Sequence, residues 1–163
     1  MMFFIGVVLF MPKINLYYTL ENLLKKEHIE VREGSLKDRW IDLKIEDALV
    51  LYDGIESVQA QSITLSPWLV YNKLTMDKVT TTQTLKSILD IQVDEATMTY
   101  AVWDYKYVQI DASGDFGVIH GTLDVMEEKI HLILEPSDAY KNHALVRQYF
   151  KKSEEGMVYE SKL

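Results

Sequence analysis

Between residues 39 and 136 hydrophobic and polar positions alternate with a period of two, in short runs separated by turn residues, and this pattern predicts a mainly β chain. Ile41, Leu43 and Ile45 oppose Asp42, Lys44 and Glu46. Leu89, Ile91 and Val93 oppose Asp90, Gln92 and Asp94. Val108 and Ile110 oppose Gln109 and Asp111, and Ile130, Leu132 and Leu134 oppose Lys129 and His131. Each run offers one wet face and one face that needs cover. Connections as short as Tyr52-Asp53-Gly54, Ser113-Gly114-Asp115 and Glu127-Glu128 suit hairpins, so successive strands are expected to pair antiparallel in a meander. Residues 48–52 and 97–103 carry apolar groups on both faces, which asks for helices, sheet curvature or a bound apolar ligand there. The polar run TTTQT at 80–84 reads as a loop or an edge strand.

Near each end the period lengthens to 3.6. Asn15 is placed to cap a helix in which Leu16, Tyr17, Leu20, Leu23 and Leu24 form one stripe, with Glu21, Lys25, Lys26 and Glu27 opposite. A second helix is expected over 137–152, with Ser137 and Asp138 at its start, Lys151 and Lys152 in its last turn and Gly156 beyond. Tyr140, Ala144, Leu145 and Tyr149 would be its docking face. The fold class that follows is a curved antiparallel meander sheet with a short helix near each end.

Residues 1–11, MMFFIGVVLFM, carry no charge and are stopped by Pro12 and Lys13. At about 1.5 Å per helical residue they cover roughly half of a ~30 Å hydrocarbon core. Neither a basic n-region nor a small-residue cleavage site is present, which argues against a secretory leader. The segment reads as a partial membrane anchor or signal-anchor remnant, followed by one β-rich domain over 12–163; a buried core strand or helix is the alternative. As an anchor it would put Lys13 at the water interface and Tyr17 and Tyr18 in the headgroup belt.

The 163 residues suit one domain. Lysine and arginine number 17 against 25 aspartates and glutamates, a net charge of −8, so nucleic acid is not an expected partner. The absence of cysteine removes disulfides, thiolate metal sites and thiol nucleophiles. Of the histidines, His120 and His131 are candidates for adjacent strands, where Asp124 would complete a metal site; solvated strand histidines are the plainer reading. No serine sits in a G-x-S-x-G elbow, and Gly114-Asp115-Phe116-Gly117 has the letters DFG without any other kinase signature. No catalytic residue, metal or cofactor is expected, and the chain reads as a non-enzyme. Tyr100, Trp103, Tyr105 and Tyr107 concentrate in one hairpin with Lys106 as their only basic companion, suiting cross-strand packing or a partner surface better than base stacking.

The order of features, from the apolar start and Pro12 through Leu16-Tyr17-Tyr18-Thr19-Leu20-Glu21, Ile63-Thr64-Leu65-Ser66-Pro67, Gly121-Thr122-Leu123, Leu134-Glu135-Pro136-Ser137 and the closing Gly156-Met157-Val158-Tyr159, resembles protein N of the general (type II) secretion pathway. The resemblance implies an inner-membrane anchor, a domain on the periplasmic face and an accessory or scaffold role through contacts with other envelope or secretion-system proteins. It carries no catalytic residues. More distantly the chain is similar to AsmA-like proteins, which implies lipid binding or transfer. For that use the candidate apolar groove or core face is Leu89, Ile91, Val93, Val108, Ile110, Leu132 and Leu134, filled either by acyl chains or by the protein's own helices. A β-rich cytoplasmic binding protein whose apolar first segment is core is a third reading.

Overall fold

The computed structural model describes residues 13–68, 70–154 and 156–162. The expected anchor at 1–11 lies outside them. The described residues form one antiparallel sheet of eleven strands, left open at both edges, with short helices. Helix α1 (Lys13–Lys26) is followed by β1 (Ile29–Arg32), β2 (Ser35–Asp38), β3 (Leu43–Tyr52), β4 (Ile55–Pro67), β5 (Tyr71–Thr81), α2 (Gln83–Lys86) and β6 (Gln92–Ala101). Then come β7 (Tyr107–Gly114), β8 (Gly117–Asp124), β9 (Lys129–Pro136), α3 (Ala144–Tyr149), β10 (Lys151–Ser153) and β11 (Gly156–Lys162). β3 to β9 run as the expected meander, β1 and β2 share one edge of β3, and β11 returns beside β9 with β10 outside it.

Helix α1 contains neither glycine nor proline, carries Lys25 and Lys26 in its last turn where they complement the dipole, and adds a Glu21–Lys25 pair at 2.7 Å. It ends at His28, whose φ of 62° takes the left-handed role usually given to glycine. Tyr17 lies under the helix in a cluster with Leu43, Ile45, Ala48 and Ala60, its hydroxyl 3.2 Å from Glu33. That burial, together with the Glu33 carboxylate, pushes the phenol well above its ordinary range. Tyr17 is core, which agrees with its place on the apolar stripe of a helix packed against the sheet and corrects its placing in a headgroup belt; Lys13, expected at the water interface, is buried 3.6 Å from Asp38. Tyr18 is the exposed one of the pair.

The long helix expected over 137–152 is also corrected. A 3-10 turn over Asp138–Asn142 and the six-residue α3 replace it, and Lys151 and Lys152 belong to β10. The Ser137 hydroxyl does not cap a helix; it donates to the Asp115 carbonyl at 2.5 Å. Val146 and Phe150, together with Tyr140, dock on Phe116 and Leu134, whereas Tyr149 and Ala144 are exposed. The run TTTQT splits between β5 and α2, with the Thr82 hydroxyl donating to the Glu56 carbonyl at 2.6 Å. Leu89 and Ile91 precede β6 instead of opening it, and Ile41 is exposed ahead of β3.

The alternation fails along one line for a structural reason. Ile45, Ile63, Met76 and Ala96 occupy one row of the sheet, and the next apolar row is Ala48, Ala60, Val79 and Val93. The two rows are three residues apart in every one of β3, β4, β5 and β6, where an ideal strand would place them two apart. Each strand holds one spare residue, in the pairs Glu46-Asp47, Gln61-Ser62, Asp77-Lys78 and Asp94-Glu95. Asp47 and Lys78 take left-handed φ of 53° and 47°, and Gly34 faces Asp47 from the β1–β2 break, where a Cβ would lie 2.9 Å from the Asp47 Cβ. The crease ends at β7, whose register against β6 shifts between Val93 and Glu95.

Candidate functional site

Register places two apolar rows side by side across eight strands. One is Leu43, Leu65, Leu74, Met98, Ile110, Gly121, Leu132 and Tyr159; the other is Ile45, Ile63, Met76, Ala96, Ala112, Ile119, Leu134 and Met157. The opposite face carries Lys44, Thr64, Thr75, Thr97, Asp111 and His120 in the matching row and is largely polar. One side of the sheet is therefore a continuous apolar surface about eight strands wide.

Among the described residues that surface is covered at its ends and not between them. Helix α1 closes the β3–β4 end through Tyr17 and Ile14, and α3 closes the β8–β9–β11 end through Val146 and Phe150. Leu74, Met76, Met98 and Ile110, on β5, β6 and β7, belong to neither cluster; Met98 is 38% exposed and the other three are half-buried. From Tyr100 to Ala96 this strip is four residue steps long, about 13 Å at ~3.3 Å per step, and at Val93 it passes under the α3 cluster. Where it meets α3 it runs into an apolar cleft of about 510 Å³ walled by Leu89, Ile91, Phe116, Leu132, Val146 and Phe150, within the ~300–1,000 Å³ range of small-molecule sites. A larger cleft of about 770 Å³ near His131, Gln148, Lys151 and Glu160 is lined mainly by polar and charged groups and does not suit an apolar ligand.

The seven residues of the expected groove face thus fall in two places. Ile91, Val93, Leu132 and Leu134 pack in the α3 cluster, with Leu89 on the cleft wall. Val108 and Ile110 share the same face in the uncovered strip. Leu74 and Met76 lie outside the expected groove face, although Lys73-Leu74-Thr75-Met76-Asp77 alternates as cleanly as any run in it, and Met98 belongs to 97–103, expected to be apolar on both faces.

The four expected partner-surface aromatics do not share one surface. Tyr100 lies on the apolar face beside Val108, while Tyr107 pairs with Asp124 on the polar face under Lys106, whose ammonium is 5.3 Å from its ring. Trp103 and Tyr105 stand out in the β6–β7 turn, 70% and 63% exposed, and Trp103 stacks on Tyr71 at 6.5 Å. This turn is tied to its neighbour. Lys106 Nζ lies 2.9 Å from Asp124 Oδ2, and Asp124 Oδ1 accepts from the amides of Met126 and Glu127, each at 3.0 Å. Burial alone would raise the Asp124 carboxyl, but the Lys106 ammonium and the two amides outweigh it and hold the group below the usual carboxylate range.

His120 and His131 do lie on the adjacent strands β8 and β9, but each ring faces its own carboxylate, Asp111 at 2.6 Å and Glu160 at 2.7 Å. Among the described residues no group of three histidine or carboxylate side chains is placed to hold a metal ion. No described helix is long and apolar enough to cross a membrane. No family model, no curated protein and no solved structure matches this chain.

Proposed function

We propose that this chain is a membrane-tethered envelope protein on the periplasmic face that works by binding rather than catalysis, and that its apolar sheet face receives the acyl chain of a lipid. The observation that carries the reading is the uncovered strip between the two helices, where Leu74, Met76, Met98 and Ile110 continue an otherwise packed surface. A strip of about 13 Å, continued by the cleft beside α3, is comparable to the ~15 Å depth of one leaflet's hydrocarbon, so much of one extended acyl chain fits along it. The neighbouring cleft offers a second apolar compartment.

A scaffold role in type II secretion, suggested by the resemblance to protein N of that pathway, is the second reading. It is favoured by the outward Trp103 and Tyr105, side chains of the kind enriched where proteins meet proteins. One experiment separates the two. A photo-activatable residue replaces Ile110 in intact cells, with exposed Gln109 on the opposite face as control. Lipid adducts specific to position 110 support the first reading, and adducts to another envelope protein support the second. Intramolecular adducts alone would mean the strip is closed and defeat the lipid reading.

A further inference from the structure

The loops at one end of the strands have a shared composition. They follow β2, β4, β6 and β8, and they hold Trp40 and Ile41, Trp68 and Val70, Val102 and Trp103, and Val125 and Met126, all at least 41% exposed. These loops contain all three tryptophans of the chain. Successive loops are two strands apart, so the four tips form a row about 29 Å long at ~4.8 Å per strand. Helix α1 begins at this same end: Lys13 meets Asp38, the last residue of β2, and the helix runs from there toward Glu33 and β1. The apolar sequence of residues 1–11 consequently joins the described chain beside the tryptophan row.

We propose that this row is a membrane-interface rim that seats the loop end of the sheet on the same bilayer that takes residues 1–11. Tryptophan collects at the headgroup level because its ring is apolar and its N–H is polar. Two features set the kind of membrane surface. The rim's cations are paired with its carboxylates, Arg39 with Asp42 and Lys106 with Asp124 and Glu127, Asp104 and Glu128 add further negative charge, and the whole chain carries −8. Contact is therefore made by aromatic and aliphatic side chains with a neutral lipid surface and needs no anionic lipid. The inference rests on the tethered reading above, but not on a lipid lying in the sheet face.

The test uses the full chain reconstituted in phosphatidylcholine vesicles, because its tryptophan emission reports on the rim and nowhere else. The expected result is blue-shifted emission, quenched more by phosphatidylcholine brominated high on the acyl chain than by lipid brominated near its end, and unchanged by added salt. Single-tryptophan versions, in which two of Trp40, Trp68 and Trp103 are replaced by Phe, should each show it, with circular dichroism confirming the sheet. Protein that sediments with the vesicles but keeps water-like, unquenched emission would overturn the rim and leave the tether standing. Protein that does not sediment with vesicles would overturn both, whereas a failed lipid crosslink at position 110 would leave the rim untouched.

Discussion

Asp124 shows how much one side chain does for two loops at once. Its carboxylate takes the Lys106 ammonium from the β6–β7 turn and two amides from its own, and it is held in the charged form below its ordinary range. The stabilisation this gives is complete above the unfolded carboxyl value of about 3.9 and is lost as pH falls through the lower folded value. Asp124→Asn should therefore lower the urea midpoint at about pH 7, and the gap to wild type should narrow near pH 3. An equal gap at both values would place the effect in packing rather than charge. Leu43, fully buried beneath Tyr17, is the plain counterpart: Leu43→Ala should cost about 2–5 kcal/mol in denaturant unfolding, nearly independent of pH. The burial of Leu43 is legible from its run of alternation. The left-handed conformation at Lys78 is not, because lysine gives no hint of it and the cause lies in the neighbouring strands.

Among the elements, the strands were readable and the second helix was not. Alternation identifies β3, β7 and β9 because each keeps one face wet, and the Tyr52-Asp53-Gly54 turn announces its hairpin: Asp53 and Gly54 both take positive φ. The segment 137–152 fails as a single helix because its cues are used elsewhere. Ser137 satisfies the Asp115 carbonyl, and Lys151 and Lys152 pair with Val158 and Met157 of β11. Only six residues remain helical, too few to hold without the packing of Val146 and Phe150. Phe150→Ala should release α3 locally, seen as faster amide hydrogen exchange over 144–149 with exchange in β3–β5 unchanged. Faster exchange through both halves of the sheet would show that the two clusters unfold as one unit.

For the whole molecule, fold class was legible and coverage was not. A mainly β antiparallel meander follows from local periodicity, but which part of the apolar face lies bare depends on where α1 and α3 dock, and those contacts are remote in sequence. If the bare strip takes an acyl chain, a non-ionic single-chain amphiphile below its micelle concentration should raise the melting temperature in a dose-dependent way, since a ligand that binds only the folded state stabilises it by mass action. Met98→Asp should abolish that rise while leaving the ligand-free melting temperature nearly unchanged, because Met98 is already 38% exposed. A rise that survives in Met98→Asp would move the amphiphile to another surface.

The crease across β3 to β6 carries a consequence for how such a sequence can change over generations. Each of the four strands holds one spare residue at the same height, and every pairing between them depends on its neighbour holding one as well. A one-codon deletion within Gln61-Ser62 would turn half of β4 over and carry its polar residues to the apolar side. Length variants should accumulate in the loops and be purged from these four strands, and a homologue lacking the crease must have lost all four spare residues together. The four positions are thus inherited as one character, although some thirty residues of chain separate the first from the third.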